Sequence, residues 1–142
     1  MEIRHFMAAV VVGGTAILGV AGCSTPEPAL GGTTATVTID GNDTGGAKAV
    51  RCHQTGWTWY IETPAKEDGF TAVLSTEGPI KAESVDFRGF GGFTGTFWSK
   101  NIGDAEVTGQ NGSYIISGTA KGNFKDDPMK AVTAKFRIQA DC

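Results

Sequence analysis

Three cysteines, at positions 23, 52 and 142, are the side chains here best suited to chemistry. A thiol can be acylated, oxidised to a disulfide, bound to a metal or used as a nucleophile. His53 follows Cys52, an adjacency that would suit a nucleophile and its base. No third residue suited to orienting that base is apparent, and no two cysteines stand close enough for a zinc knuckle. The chain is therefore read as a non-enzyme without a metal site. Asp40, Asn42 and Asp43 gather oxygen-bearing side chains, but a calcium loop would need further ligands and a closing glutamate. They are read as a turn. The remaining group is aromatic: Trp57, Trp59, Phe90, Phe93, Phe97 and Trp98. Its first reading is core packing, because a small β domain needs bulky residues. Its second is a groove for lipid or glycan, with Gly89, Gly91 and Gly92 allowing close approach. Trp98 breaks alternation with Phe97, so one of that pair is expected to face outward.

The context of Cys23 decides its chemistry. Arg4 and His5 open a short basic region, and Phe6 to Val20 is a nearly unbroken run of apolar and small residues. Val20-Ala21-Gly22 then leads into the cysteine. Basic start, apolar core and small-residue cleavage region are the layout of an export signal. The core is too short and too glycine-rich for a secure membrane-spanning helix, which needs about 20 apolar residues. With cysteine at the cleavage point, the segment resembles a bacterial lipoprotein signal. The expectation is a signal peptide over 1–22 and a lipidated Cys23 as the mature N-terminus. Residues 23–34 are then a lipidated start and flexible tether, and 35–142 a single β domain. The covalent lipid would be the only prosthetic group.

Composition agrees with an exported domain. The chain has 142 residues and a formal charge of −3. A weakly acidic surface with scattered Lys and Arg argues against nucleic acid as a partner. Once Cys23 carries lipid, Cys52 and Cys142 remain as a pair, plausible outside the cytoplasm. The alternative is two free buried thiols.

Period-2 patterning sets the elements that must hold these residues. Trp57, Trp59 and Ile61 alternate with Thr58, Tyr60 and Glu62. Val132, Ala134, Phe136, Ile138 and Ala140 alternate with Thr133, Lys135, Arg137, Gln139 and Asp141, the cleanest half-buried strand of the chain. Further strands are expected at 37–39, 47–53, 70–75, 81–87, 105–108 and 114–120. In the segment 81–87, Ala82, Ser84 and Asp86 are placed opposite Glu83, Val85 and Phe87. Asp40-Gly41-Asn42-Asp43 and Asn111-Gly112 are turn signals. Asp126-Asp127-Pro128-Met129 could start one helical turn. Glycine, at 21 residues, supplies frequent turns. The fold class is all-β: a small antiparallel sheet, curled or packed as a sandwich, with little or no helix after the signal.

Four stretches, taken in order, resemble the small mycobacterial surface lipoproteins of the 19-kilodalton antigen family. They are Val20-Ala21-Gly22-Cys23; Val37-Thr38-Ile39-Asp40-Gly41 followed by Cys52; Phe70-Thr71-Ala72-Val73-Leu74, Ser84-Val85 and Gly112 to Gly122; and Pro128-Met129, Lys135-Phe136-Arg137-Ile138 and Cys142. The resemblance implies a cell-envelope surface antigen, lipid-anchored at Cys23, whose partners are the membrane, host receptors or envelope lipid and glycan. Adhesion, envelope structure and host innate recognition are the roles it implies, and no enzymatic activity. The family's familiar member has a long Ser/Thr/Ala-rich tether, whereas the tether here is brief and the domain richer in aromatic residues. An envelope carrier of lipid or glycan is the alternative, and an apolar groove is the feature that separates the two.

Overall fold

The computed structural model describes residues 33–142, and the signal and lipidation segment, Cys23 included, lies outside the described residues. Ten strands follow in order: β1 (Thr33–Ile39), β2 (Asn42–Asp43), β3 (Lys48–Thr55), β4 (Thr58–Glu62), β5 (Gly69–Ser75), β6 (Lys81–Phe90), β7 (Phe93–Trp98), β8 (Asp104–Gln110), β9 (Ser113–Phe124) and β10 (Asp127–Asp141). No helix occurs among the described residues. The tether expected over 24–34 gives way to strand two residues early, because Thr33 and Thr34 already pair with β3 and β10.

All pairings are antiparallel, in the order β10-β1-β3-β4-β5-β6-β7-β9, and β9 pairs back onto β10. The sheet thus curls and closes on itself, the first of the two arrangements the sequence allowed. Closure leaves few exposed strand edges. The wall is not uniform. β9 is flanked by β10 along its length, but its other side is shared: Lys121–Phe124 meets β7 and Ser113–Thr119 meets β8. Two glycines of β9 permit these close approaches. A Cβ at Gly118 would stand 1.9 Å from the Asp104 carbonyl oxygen, and one at Gly122 1.9 Å from that of Thr94.

The interior is filled with side chains. Val37 and Ile39 of β1, Ile61 of β4, Phe70, Ala72 and Leu74 of β5, and Ala134, Phe136, Ile138 and Ala140 of β10 are buried. Rings meet in a chain: Phe70 packs on Phe90 at 5.5 Å, Phe87 on Phe93 at 5.8 Å and on Phe136 at 5.4 Å, and Phe93 on Phe124 at 5.1 Å. Such offset and edge geometries suit aromatic quadrupoles. The one buried polar side chain among the described residues, Thr63, is satisfied: its hydroxyl accepts the Phe70 amide at 3.0 Å.

Irregularities in the ladder decide which residues face inward. In β6, Val73 pairs with Ser84 while Leu74 pairs with Ala82, so Glu83 is an extra, bulged residue. A bulge re-aims the side chains that follow it. Ala82 is therefore buried together with Val85 and Phe87, and the expected opposition of Ala82 to Val85 and Phe87 is corrected. A second irregularity at Arg88-Gly89 lets Phe87 and Phe90, three apart, both point inward. The expected helical turn at 126–129 is also corrected. Asp127 pairs with Phe124 across a tight hairpin, and by Val132 β10 has advanced five residues while β9 has advanced two. The surplus bulges outward and leaves Met129 exposed.

Candidate functional site

The described residues nearest in sequence to Cys23 are those that open β1. Thr33 opens β1 opposite Val50 of β3, and its hydroxyl donates to the Val50 carbonyl. On the other flank of β1, Thr34 faces Asp141, one residue before Cys142. Beyond Val50, β3 continues, and there Cys52 and Cys142 are joined in a disulfide with their Cα atoms 5.8 Å apart. The Cys142 amide donates to the Gly112 carbonyl, so the β8–β9 turn is tied to the same place.

His53 lies on the outside of β3, stacked on Tyr60 of β4 with ring centroids 4.7 Å apart and planes within 9°. With Cys52 oxidised, the adjacency that suggested a nucleophile and base has no thiol. Asp40, Asn42 and Asp43 form the turn after β1 and the short β2. One Asp40 carboxylate oxygen accepts the Lys135 amide at 2.9 Å. One Asp43 carboxylate oxygen accepts the amides of Gly45 at 2.7 Å and Gly46 at 2.6 Å. Those two donors hold the Asp43 pKa below its ordinary value of 3.8. Both carboxylates are thus engaged by backbone amides, as a turn requires.

The six aromatic residues are not brought together on one surface. Phe90, Phe93 and Phe97 are buried in the interior, Phe93 completely. Trp59 is half-buried, tilted against Tyr114 at 6.0 Å. Trp98 is 57 % exposed while its neighbour Phe97 is buried, so the pair divides as alternation required. Trp57 departs from expectation. It was placed on the inner face with Trp59 and Ile61, but it occupies the turn between β3 and β4 and is 66 % exposed. Gly91 and Gly92 make the β6–β7 turn at φ of 60° and 80°. Clefts touch single members of the aromatic group: one of about 330 Å³ at the end of the barrel includes Phe90 with Lys48 and Lys125, and one of about 220 Å³ beside β8 includes Phe97. The sequence reading missed Tyr114 as the partner of Trp59, although its position in the 114–120 strand carried the signal.

A small closed β domain, stitched by a disulfide beside its entry strand and preceded by a lipoprotein-type signal, defines an exported lipoprotein domain. Residues 28–142 match the family model described as Mycobacterium 19 kDa lipoprotein antigen. A putative lipoprotein of Mycobacterium avium subsp. hominissuis is 33 % identical over 94 % of this chain and 93 % of its own length. Lipoprotein LpqH of Mycobacterium avium is 33 % identical over 75 % of this chain and 66 % of its own. Probable lipoprotein LppE of Mycobacterium tuberculosis is 29 % identical over 76 % and 77 %. The chain belongs to the mycobacterial 19 kDa lipoprotein antigen family, and its place is the cell envelope, held there by a lipid anchor.

Proposed function

We propose that Cys23 is the acylated residue and that the domain works by display at the envelope surface, in adhesion and in host innate recognition through the lipidated N-terminus, without catalysis. One observation carries this reading. The chain has three cysteines, and the fold consumes Cys52 and Cys142 in one disulfide, which leaves Cys23 for the lipid. Two or more acyl chains give durable anchorage, where one gives only marginal, reversible binding. The packed aromatic interior supports display over carriage, since Phe90 and Phe93, two of the residues a carrier would line its groove with, are packed on Phe70 and Phe87.

The test is intact mass and membrane fractionation of the natural product beside Cys23→Ser. The expected result is a mass increment of at least two acyl chains on the wild type, found in the membrane fraction, and an unacylated, soluble Cys23→Ser protein with its disulfide intact. A soluble, unacylated wild type overturns the proposal.

A further inference from the structure

The strand β8 is held differently from the rest of the wall. Among the described strands of more than two residues, it alone is paired along one side only, with β9, from Asp104 opposite Thr119 to Gln110 opposite Ser113. Its other side faces the start of β6, and no ladder joins the two. β6 keeps β7 as its partner up to Ser84 opposite Trp98, and the Ser99 amide donates to the Glu83 carbonyl at 2.9 Å. Beyond that bond, a cleft of about 220 Å³ is lined by Lys81 and Ala82 of β6, by Asp104 and Ala105 of β8, and by Phe97.

The side chains of β8 add little to hold it. None of its seven residues is buried: Ala105 and Val107 are half-buried against the core, and the other five are exposed. β5, paired on both sides, buries Phe70, Ala72 and Leu74 completely. Segments with few buried apolar contacts and exposed hydrogen bonds open at the low end of a protein's range of local stabilities. Yet both ends of β8 are fastened. On the β7 side, Trp98 and Ile102 exchange two amide–carbonyl bonds of 2.8 Å. On the β9 side, the Gly112 carbonyl accepts the Cys142 amide, and Cys142 is bonded to Cys52. Gly103 lies just inside the first fastening and Gly112 at the second, at φ of 70° and 87°, where the chain turns through conformations that suit glycine.

We infer that β8 is a strap: Asp104 to Gln110 lifts from β9 as one unit between two fixed points, while the rest of the barrel stays closed. Val107 pairs beside Ile116 and Gly109 beside Tyr114, so lifting uncovers that flank of β9. The cleft at Phe97 then becomes a side opening between β6 and β9, through which the apolar interior meets solvent. The inference does not depend on the lipid at Cys23.

Native-state amide exchange of the whole protein, followed by NMR, tests it. The Asp104 amide points to β9, donating to the Thr119 hydroxyl at 3.1 Å, and along a strand Glu106 and Thr108 point the same way. Exchange at these two amides should be at least about a hundredfold faster than at Ala72 once corrected for intrinsic rates, with protection equal within about threefold. Between zero and about 1 M urea it should stay nearly constant, while exchange at Ala72 rises about tenfold or more. Phe87→Ala removes a side chain that β8 does not touch in its ladder. It should leave protection at Glu106 and Thr108 within about twofold and speed exchange at Ala72 at least about a hundredfold. If that variant does not fold, the urea series on the wild type decides. Protection at Glu106 and Thr108 equal to that at Ala72, with the same urea slope, overturns the inference, because β8 then opens only with the whole domain. Protection that differs more than about tenfold between Glu106 and Thr108 also overturns it, since the strand then frays from one end. Neither result touches the proposed display at the envelope, which is read from the mass and the membrane fraction.

Discussion

Removing the disulfide tests how much of the domain's stability comes from one covalent link. The perturbation is the double variant Cys52→Ala/Cys142→Ala, which leaves no thiol behind to repair the bond. The bond spans a sequence separation of 90 residues, nearly the whole domain. In the chain-entropy model, closing a loop of that size lowers the entropy of the unfolded state by an amount equal to about 4–5 kcal/mol at 25 °C. A domain of about 110 residues has a total stability of roughly 5–16 kcal/mol. The link therefore accounts for about a quarter of the stability or more. Urea unfolding with m of about 1–3 kcal/mol/M should show the midpoint falling by about 2 M. Native-state amide exchange separates two mechanisms. If the bond acts on the unfolded chain, the slowest-exchanging amides of β5 and β6, far from the link, lose protection by the same free energy as those of β10. If it acts only by pinning the end of the last strand, loss is confined to Ile138 through Cys142. A midpoint shift below about 0.5 M at unchanged m would refute the entropic reasoning for this fold.

Two further predictions follow from particular contacts. The Asp43 carboxylate, held by the Gly45 and Gly46 amides, should titrate below 3.8 in a carbon-detected NMR titration. Its contribution to stability is complete above the unfolded value and is lost as pH falls through the folded one, so Asp43→Asn should weaken the acid dependence of unfolding only below about pH 4. Phe87→Ala should lower stability by about 3–5 kcal/mol in urea unfolding, because Phe87 is fully buried against Phe70, Phe93 and Phe136.

Alternation made much of the wall readable from sequence. Of the five residues placed on one face of β10, Ala134, Phe136, Ile138 and Ala140 are buried and Val132, before β1 joins the strand, is only partly so, because pairing on both sides leaves no freedom to rotate a side chain out. The Cys52–Cys142 bond was legible by arithmetic once Cys23 had a separate use. What periodicity could not show is where it changes phase. The bulge at Glu83 has no signature of its own; only the facing register of Leu74 and Val73 reveals it. β7, Phe93–Trp98, has no counterpart among the strands expected from sequence, and it carries Gly95 in its interior. A Cβ there would lie 2.4 Å from the tip of the Phe93 ring, so the glycine serves packing inside a strand. Trp57 was misplaced by carrying a valid alternation one turn too far. Gly56, at φ 59°, had already turned the chain.

The fold and the reading of function constrain one another through the aromatic side chains. A small barrel has an interior that must be filled either by its own residues or by a ligand. Here Phe70, Phe87, Phe90, Phe93, Phe97 and Phe136 fill it, and each ring has another ring as a neighbour. To admit an acyl chain, the domain would have to separate contacts worth about 0.5–1.5 kcal/mol per pair beyond their buried area, in a wall closed by antiparallel pairing on both sides of β1 and β9. That cost falls on a carrier at every loading step and on a display domain never. Trp57 and Trp98 lie outside this account, since neither takes part in the filling. The residues free to meet other molecules are accordingly on the surface, and the direction in which the tether presents that surface decides which of them a partner can reach.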